Sequence, residues 1–316
     1  MLVKAIPYKL LTDIRGYLAG SDRFLLRDNA LATGAYPIDL EFTLKEENRY
    51  YSPKDDHGIP MRRYLSVGRQ YNPTRVAAYG LAHYNRYVES RSERELAVFL
   101  KTADWFANFP DAQWRYEFDW GALRAPWISA MAQGEGMSVL VRAWRVTQNE
   151  LYLQRAMQAA RVFQRHVNDG GVLSFLDDGT PFLEEYPTAK PAHVLNGFLY
   201  SLIGIIDMQH IANEMPVSVA FFNDLFSGLE KHITDWDLGY WSAYDLFAGR
   251  FDMRNPATAN YHNLHITQLE FIEQWRSSEA IAATVNRWKR YKNRTVYRLR
   301  AMTGKILFRT MQKAQR

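Results

Sequence analysis

From residue 73 onward, apolar residues recur at helical spacing in runs separated by three long linkers rich in aromatics and glycine, and this alternation constrains the fold more than any other feature. The spacing predicts helices over 73–89, 93–107, 130–147, 150–167, 191–213, 216–233, 262–275 and 278–300 or beyond. Asn72 ahead of Pro73, Asn149 and Ser277 stand where helix N-caps belong. The linkers read FPDAQWRYEFDWGALRAPW, HVNDGGVLSFLDDGTPFLEEYP and WDLGYWSAYDLFAGRFDMRNP. Helices joined in pairs by aromatic loops predict a mainly α chain of the α/α toroid type, whose loops at one end line a sugar-sized cleft.

The first 65 or so residues follow a different pattern. PIDLEFT (37–43) shows some alternation of apolar and polar residues, and SPKDDHGIP (52–60) is turn chemistry throughout. Loops with short strands or a hairpin are expected here, as a small β/loop arm on the helical body.

Composition narrows the function. Aromatics make up 14% of the 316 residues, a supply suited to covering the apolar faces of sugars while polar ring edges reach hydroxyls. Cysteine is absent, which excludes disulfides, thiolate nucleophiles and cysteine-based metal sites. The net charge of +5 conceals an asymmetry: residues from Ala280 on carry 11 Lys and Arg and no acid, leaving 28 basic against 34 acidic residues elsewhere. That end has the pattern of a basic amphipathic helix, suited to anionic lipid, anionic polysaccharide or a solvated face. Nucleic acid is not an expected partner, because the body is acidic and holds no recognised binding motif. Charges at Lys4, Lys9, Asp13 and Arg15 break up any signal-peptide core, and no uncharged apolar run reaches spanning length. The expectation is a cytoplasmic chain or one peripheral on a membrane surface.

Several blocks occur together and in order: YGLAHY (79–84), WISAMAQGEGMSVLVRAW (127–144), EEYPT (184–188), VLNGFLYSLIG (194–204), YDL (244–246), YHNLHITQLEFI (261–272) and NRWKRY (286–291). In these blocks, spread over about residues 58–292, the chain resembles the carboxy-terminal catalytic domain of heparan sulfate D-glucuronyl C5-epimerases, in a bacterial-type form. The resemblance implies an (α/α)6 barrel over 66–293, between an arm at 1–65 and a basic tail at 294–316. It also implies epimerisation at C5 of glucuronosyl residues within an anionic polysaccharide. A homodimer and a peripheral membrane contact through the tail complete the expected partners.

Inverting C5 of a hexuronate removes the proton alpha to the carboxylate from one face and returns one to the other, so two groups must flank the ring. Extra charge on the carboxylate calls for hydrogen-bond donors or a cation. No redox cofactor is required, and none is expected. The resemblance carries the family's catalytic glutamate and tyrosines onto Glu185 and Tyr186 of EEYP, Tyr244 of YDL and Tyr261 of YHNLH. Glu185 with Tyr261 is the expected opposed pair, with Tyr186 and Tyr244 as proton donors or orienting groups. Asn196 matches a family position that contacts the substrate carboxylate, and Gln70 and Tyr71 are candidate sugar contacts. His262 and His265, at i and i+3, lack an evident third ligand; hydrogen bonding to sugar or to Tyr261 is expected of them in place of a metal. One departure stands out: the family has an arginine directly after YDL, where this chain has Phe247, and Arg250 or Arg254 is the candidate replacement. A polysaccharide lyase and a non-catalytic glycan-binding module remain the competing classes.

Overall fold

The computed structural model describes residues 8–20, 23–247 and 252–313. The chain is mainly helical. Its α-helices are α1 (Tyr8–Ala19), α2 (Ala30–Thr33), α3 (Glu41–Lys45), α4 (Glu47–Tyr51), α5 (Pro73–Ser90), α6 (Glu93–Ala107), α7 (Ala130–Thr147), α8 (Glu150–Ala159), α9 (Leu195–Asp207), α10 (Val219–His232), α11 (Ala259–Trp275), α12 (Glu279–Lys292) and α13 (Thr295–Lys313). Two antiparallel hairpins, β1 (Met61–Tyr64) with β2 (Gly68–Tyr71) and β3 (Leu173–Phe175) with β4 (Pro181–Leu183), are the sheets among the described residues. The chain forms two compact units interleaved in sequence: a larger one of residues 26–193 and 197–228, and a smaller one of residues up to 25, 194–196 and from 229 onward.

In the larger unit α5 starts where its cap is encoded: the Asn72 side chain accepts a hydrogen bond from the Arg75 N–H at 3.1 Å, and Pro73 supplies a pre-set first φ. Asn149 caps α8 in the same way through the Leu151 N–H. Helix α7 is buried along Ala132–Ala143, its polar Gln133, Glu135, Ser138 and Arg142 included, as a core helix is. It meets α9 through glycines: a Cβ on Gly134 would lie 2.6 Å from the Tyr200 carbonyl oxygen, so only glycine permits this approach. One side chain locks the arrangement. Arg142, 1% exposed, forms a two-pronged pair with Asp207 at 2.6 and 2.9 Å, and its remaining N–H groups donate to the Gly34, Ala35 and Ser138 carbonyls.

Residues 37–43, expected to be extended, instead lead into helix α3. Asp39 accepts a hydrogen bond from the Glu41 N–H at 2.7 Å, and this local side-chain bond starts a helical turn that the short alternation of 37–43 does not outcompete. Only an isolated bridge between Leu26 and Ile38 remains of the strand. The turn-rich 52–60 segment behaves as its composition dictates, with Asp55 accepting from the His57 and Ile59 N–H groups ahead of the β1–β2 hairpin.

The smaller unit packs α1, α11, α12 and α13 together. Tyr17 of α1, Trp241, Ala257, Ala259 and Ala301 of α13 form its buried cluster, where the Tyr17 hydroxyl donates to the Ala257 carbonyl at 2.7 Å. Ser278, one residue beyond the expected Ser277, caps α12; Ser277 instead donates to Glu273. The expected long final helix is two, broken at Asn293, and α13 has a buried side rather than trailing in solvent. No described helix is long and apolar enough to cross a membrane.

Replacing Asp207 by leucine alone leaves the Arg142 charge buried and uncompensated, and should lower unfolding free energy by about 3–5 kcal/mol. Adding Arg142→Met should recover part of that loss. Urea unfolding of the single and double variants, measured side by side, checks this; equal losses would mean the ion pair is not what couples the two positions.

Candidate active site

The β3–β4 hairpin delivers EEYP. Leu173 pairs with Leu183 at its open end, and Glu184 follows with no exposed surface. Glu184 is a fastening: its carboxylate accepts from the Ser174 hydroxyl at 2.6 Å and lies 2.7 Å from His193 Nδ1, while its carbonyl accepts from the Ala130 N–H at the start of α7. With its neighbour tied at three points, Glu185 is held 7% exposed. Its place is reserved by Gly197 of α9, where a Cβ would lie 2.5 Å from the Glu185 Cβ and 2.8 Å from Oε2. The surroundings of Glu185 are aromatic and acidic. Burial pushes the carboxyl of Glu135, on α7, well above the usual carboxylate range, and the charge of Glu185 pushes it further. Burial likewise raises the Tyr116 phenol, with Glu185 and Glu135 contributing in the same direction. Tyr116 stacks on Trp127 at 4.1 Å, and Tyr186 packs 6.2 Å from the same indole. A cleft of about 380 Å³ runs alongside, lined by Arg115, Arg124, Trp127, Pro187 and Thr188 among others.

In the smaller unit the rings of Tyr244 and Tyr261 meet edge to face, with centroids 5.1 Å apart. Tyr244 is fixed through its backbone: its N–H donates to the Asn255 carbonyl at 2.8 Å, and its carbonyl accepts from the Leu195 N–H. Tyr261 occupies the first turn of α11, capped by Thr258, and is 37% exposed. Asn196 is 1% exposed, and its carbonyl accepts from the Gln268 side chain of α11 at 3.1 Å. Next to Tyr244, Asp245 accepts from Asn255 Nδ2 at 2.7 Å, and Asn255 Oδ1 accepts from the buried Lys305 ammonium at 2.7 Å.

The histidines require a correction. His262 and His265, expected to bond a sugar or Tyr261, have no exposed surface and are consumed inside the unit. The Ser242 N–H donates to His262 Nδ1, so the ring proton is on Nε2, which donates to the Trp288 carbonyl at 3.1 Å. Ser242 Oγ lies 2.8 Å from His262 Nδ1 and 3.0 Å from His265 Nδ1. Burial pushes His262 down to about 3 and His265 well below its ordinary value, so both are neutral packing groups at physiological pH. Among the described residues no cluster of three metal-ligating side chains occurs.

Of the other candidates, Gln70 donates to the Val67 carbonyl within its own hairpin. Tyr71 donates to Asp55 at 2.6 Å, and its phenol is pushed up to about 12 by burial and by that carboxylate. Arg254 donates to the Asp235 carbonyl at 2.6 Å; Phe247 is 43% exposed, and Arg250 lies outside the described residues. Glu135, Asp245 and Lys305 were not singled out from the sequence. The signal for Glu135 was there: a lone acid amid the apolar residues of SAMAQGEGMSVLV.

Residues 108–290 match the family described as D-glucuronyl C5-epimerase C-terminus. A D-glucuronyl C5-epimerase of Caenorhabditis elegans is 31% identical over 224 residues, which are 65% of this chain and 36% of that protein; the chain thus spans about a third of that relative. An uncharacterized protein of Methanocaldococcus jannaschii is 23% identical over 246 residues, covering 76% of this chain and 72% of that one. Among solved structures, a polysaccharide lyase superposes with a TM-score of 0.50 over 90% of this chain and 82% of its own, at 14% identity, a likeness of fold alone.

Asp245 offers a test that needs no substrate. Burial raises its carboxyl from 3.8 to about 6, against the opposing pull of the Asn255 hydrogen bond and the Lys305 charge. The native chain therefore holds this proton more tightly than the unfolded chain. The resulting stability is complete below about pH 4 and is lost as pH rises through about 6. Asp245→Asn stays neutral, so from pH 4 to 7.5 the parent should lose about 2.5 kcal/mol relative to the variant. Urea unfolding at both pH values measures this; a constant difference would mean that Asp245 does not titrate there.

Proposed function

Since the chain belongs to the D-glucuronyl C5-epimerase C-terminus family, we propose that it inverts C5 of D-glucuronosyl residues within a polysaccharide, giving L-iduronosyl residues. The observation that carries this reading is that the matched span, 108–290, includes Glu185, Tyr186, Asn196, Tyr244 and Tyr261 together. In this reading the helices form an (α/α)6 toroid and the polymer is anionic. The cleft beside EEYP has Arg115 and Arg124 in its lining, paired with Asp111 and Asp119, and an anionic sugar would compete with those carboxylates for them.

Glu185 takes the C5 proton; the electron pair left on C5 delocalises into the uronate carboxylate as an enediolate. Tyr261 gives its phenolic proton to the opposite face, and C5 is inverted with no net oxidation. Glu185 then carries one proton more and Tyr261 one fewer, and exchange with water restores both. Desolvation by aromatic walls strengthens a carboxylate as a base, and Tyr116, Trp127 and Tyr186 supply such walls around Glu185. Tyr186 and Tyr244 act as further donors or orienting groups, and Asn196 addresses the uronate carboxylate. The cations of α13 suit contact with the polymer or with an anionic surface.

The test is incubation with heparosan and other glucuronans in heavy water, with deuterium at C5 read by NMR. The parent should incorporate deuterium and form iduronate; Glu185→Gln and Tyr261→Phe should each slow exchange by about 10²–10⁴ with circular dichroism unchanged. Exchange at the parental rate in either variant overturns that residue's role. Accumulation of an absorbing unsaturated uronate would replace the epimerase reading with that of a lyase.

A further inference from the structure

Lysine is seldom fully buried, because removing an ammonium from water is costly unless a specific interaction offsets it. Lys305, on the basic final helix α13, is only 8% exposed. Its Nζ donates to Asn255 Oδ1 at 2.7 Å and stands 5.4 Å from the centroid of the Tyr244 ring and 6.0 Å from that of Phe308. Asn255 is tied to the same tyrosine segment twice, accepting from the Tyr244 N–H and donating to Asp245. The Asp245 carboxyl also accepts the backbone N–H of Phe247. The Lys305 ammonium is thus held inward, bonded to the Asn255 amide and close to the Tyr244 and Phe308 rings.

We propose that Lys305 is a positioning residue for Tyr244: its ammonium, fixed by Asn255, stabilises the phenolate that Tyr244 becomes on giving up its proton. An opposite charge about 4–6 Å away lowers the energy of the ionised form of a titratable group. Tyr261 of α11 and Lys305 of α13 meet the Tyr244 ring, Asp245 follows it in the chain with Arg254 acting on that carboxyl, and Tyr17 of α1, Tyr240 with Arg300 over its ring, and Tyr291 of α12 belong to the same cluster. Of these, the phenols are neutral and Asp245 opposes ionisation of Tyr244; the ammonium of Lys305 favours it. The final helix is therefore a working part of the site and more than a charged appendage. The use made of the proton rests on the epimerase reading; the coupling between Lys305 and Tyr244 does not.

The experiment uses the full chain labelled with ¹³Cζ-tyrosine. The Tyr244 resonance, identified with Tyr244→Phe, is titrated in the parent and in Lys305→Met, Lys305→Arg and Asn255→Ala. Lys305→Met should move the Tyr244 midpoint up by about 1–3 pH units, Asn255→Ala should move it in the same direction, and Lys305→Arg should keep it near the parental value. In the heavy-water assay, Lys305→Met should lower kcat at least tenfold with KM within twofold and shift the pH profile to the alkaline side. If Lys305→Met does not fold, Asn255→Ala decides the matter. An unchanged Tyr244 midpoint in the folded variants overturns the proposal, whatever happens to activity. A shifted midpoint in a parent that exchanges no deuterium would uphold the coupling and reject the epimerase reading.

Discussion

The buried pair between Arg142 and Asp207 is the interaction on which the larger unit depends. Two charges with 1% and 3% side-chain exposure cannot be left half paired, because the orphaned ion would have no solvent to turn to. The five N–H groups of the guanidinium are rigidly arranged, so satisfying them fixes the separation and rotation of α7 and α9 together with the backbone at Gly34 and Ala35. Gly134 then sets how closely the two helices approach. Once α9 is placed, so is Gly197, and the space that Gly197 leaves empty is where Glu185 sits. A long chain of packing thus ends on a few atoms of one carboxylate.

Neighbouring residues in this chain carry opposite duties, and burial separates them. Glu184 is fully enclosed and hydrogen-bonded while Glu185 keeps some exposed surface. Tyr261 is more than a third exposed, whereas His262 beside it is sealed between Trp241 and Trp288. In each pair the more enclosed side chain helps to hold the backbone on which its neighbour stands. Such support matters at a catalytic position, since a proton carrier misplaced by about 1 Å loses much of its effect.

How far this was readable from the letters follows from the range of the forces involved. The helices at 73–90, 93–107 and 130–147 were legible because their periodicity is local, and Asn72 and Asn149 cap α5 and α8 as their identities suggest. Helix α3 was not, since one Asp39 hydrogen bond outweighed a weak alternation. Histidines at i and i+3 look the same in sequence whether they line a cleft or fill a core; only Trp241, Ser242 and Trp288, brought in from elsewhere in the chain, decide it. Lys305 was hidden among eleven basic residues near the carboxyl end, and its inward course depends on Asn255, fifty residues away.

Each unit also sets a second ionisable group beside a candidate proton carrier, a protonated carboxyl in one and an ammonium in the other. Beside Glu185 is the carboxyl of Glu135, which keeps its proton because burial and the neighbouring charge both penalise ionisation. A buried carboxyl next to an ionised one keeps its proton, because the neighbouring charge makes a second ionisation costlier. Beside Tyr244 is an ammonium, which favours the state in which the phenol has lost its proton. The first bias suits a group that must accept a proton from carbon, the second a group that must part with one. A reaction that removes a proton from one face of a ring and returns one to the other needs both, and desolvation gives each bias a strength it would not have in water.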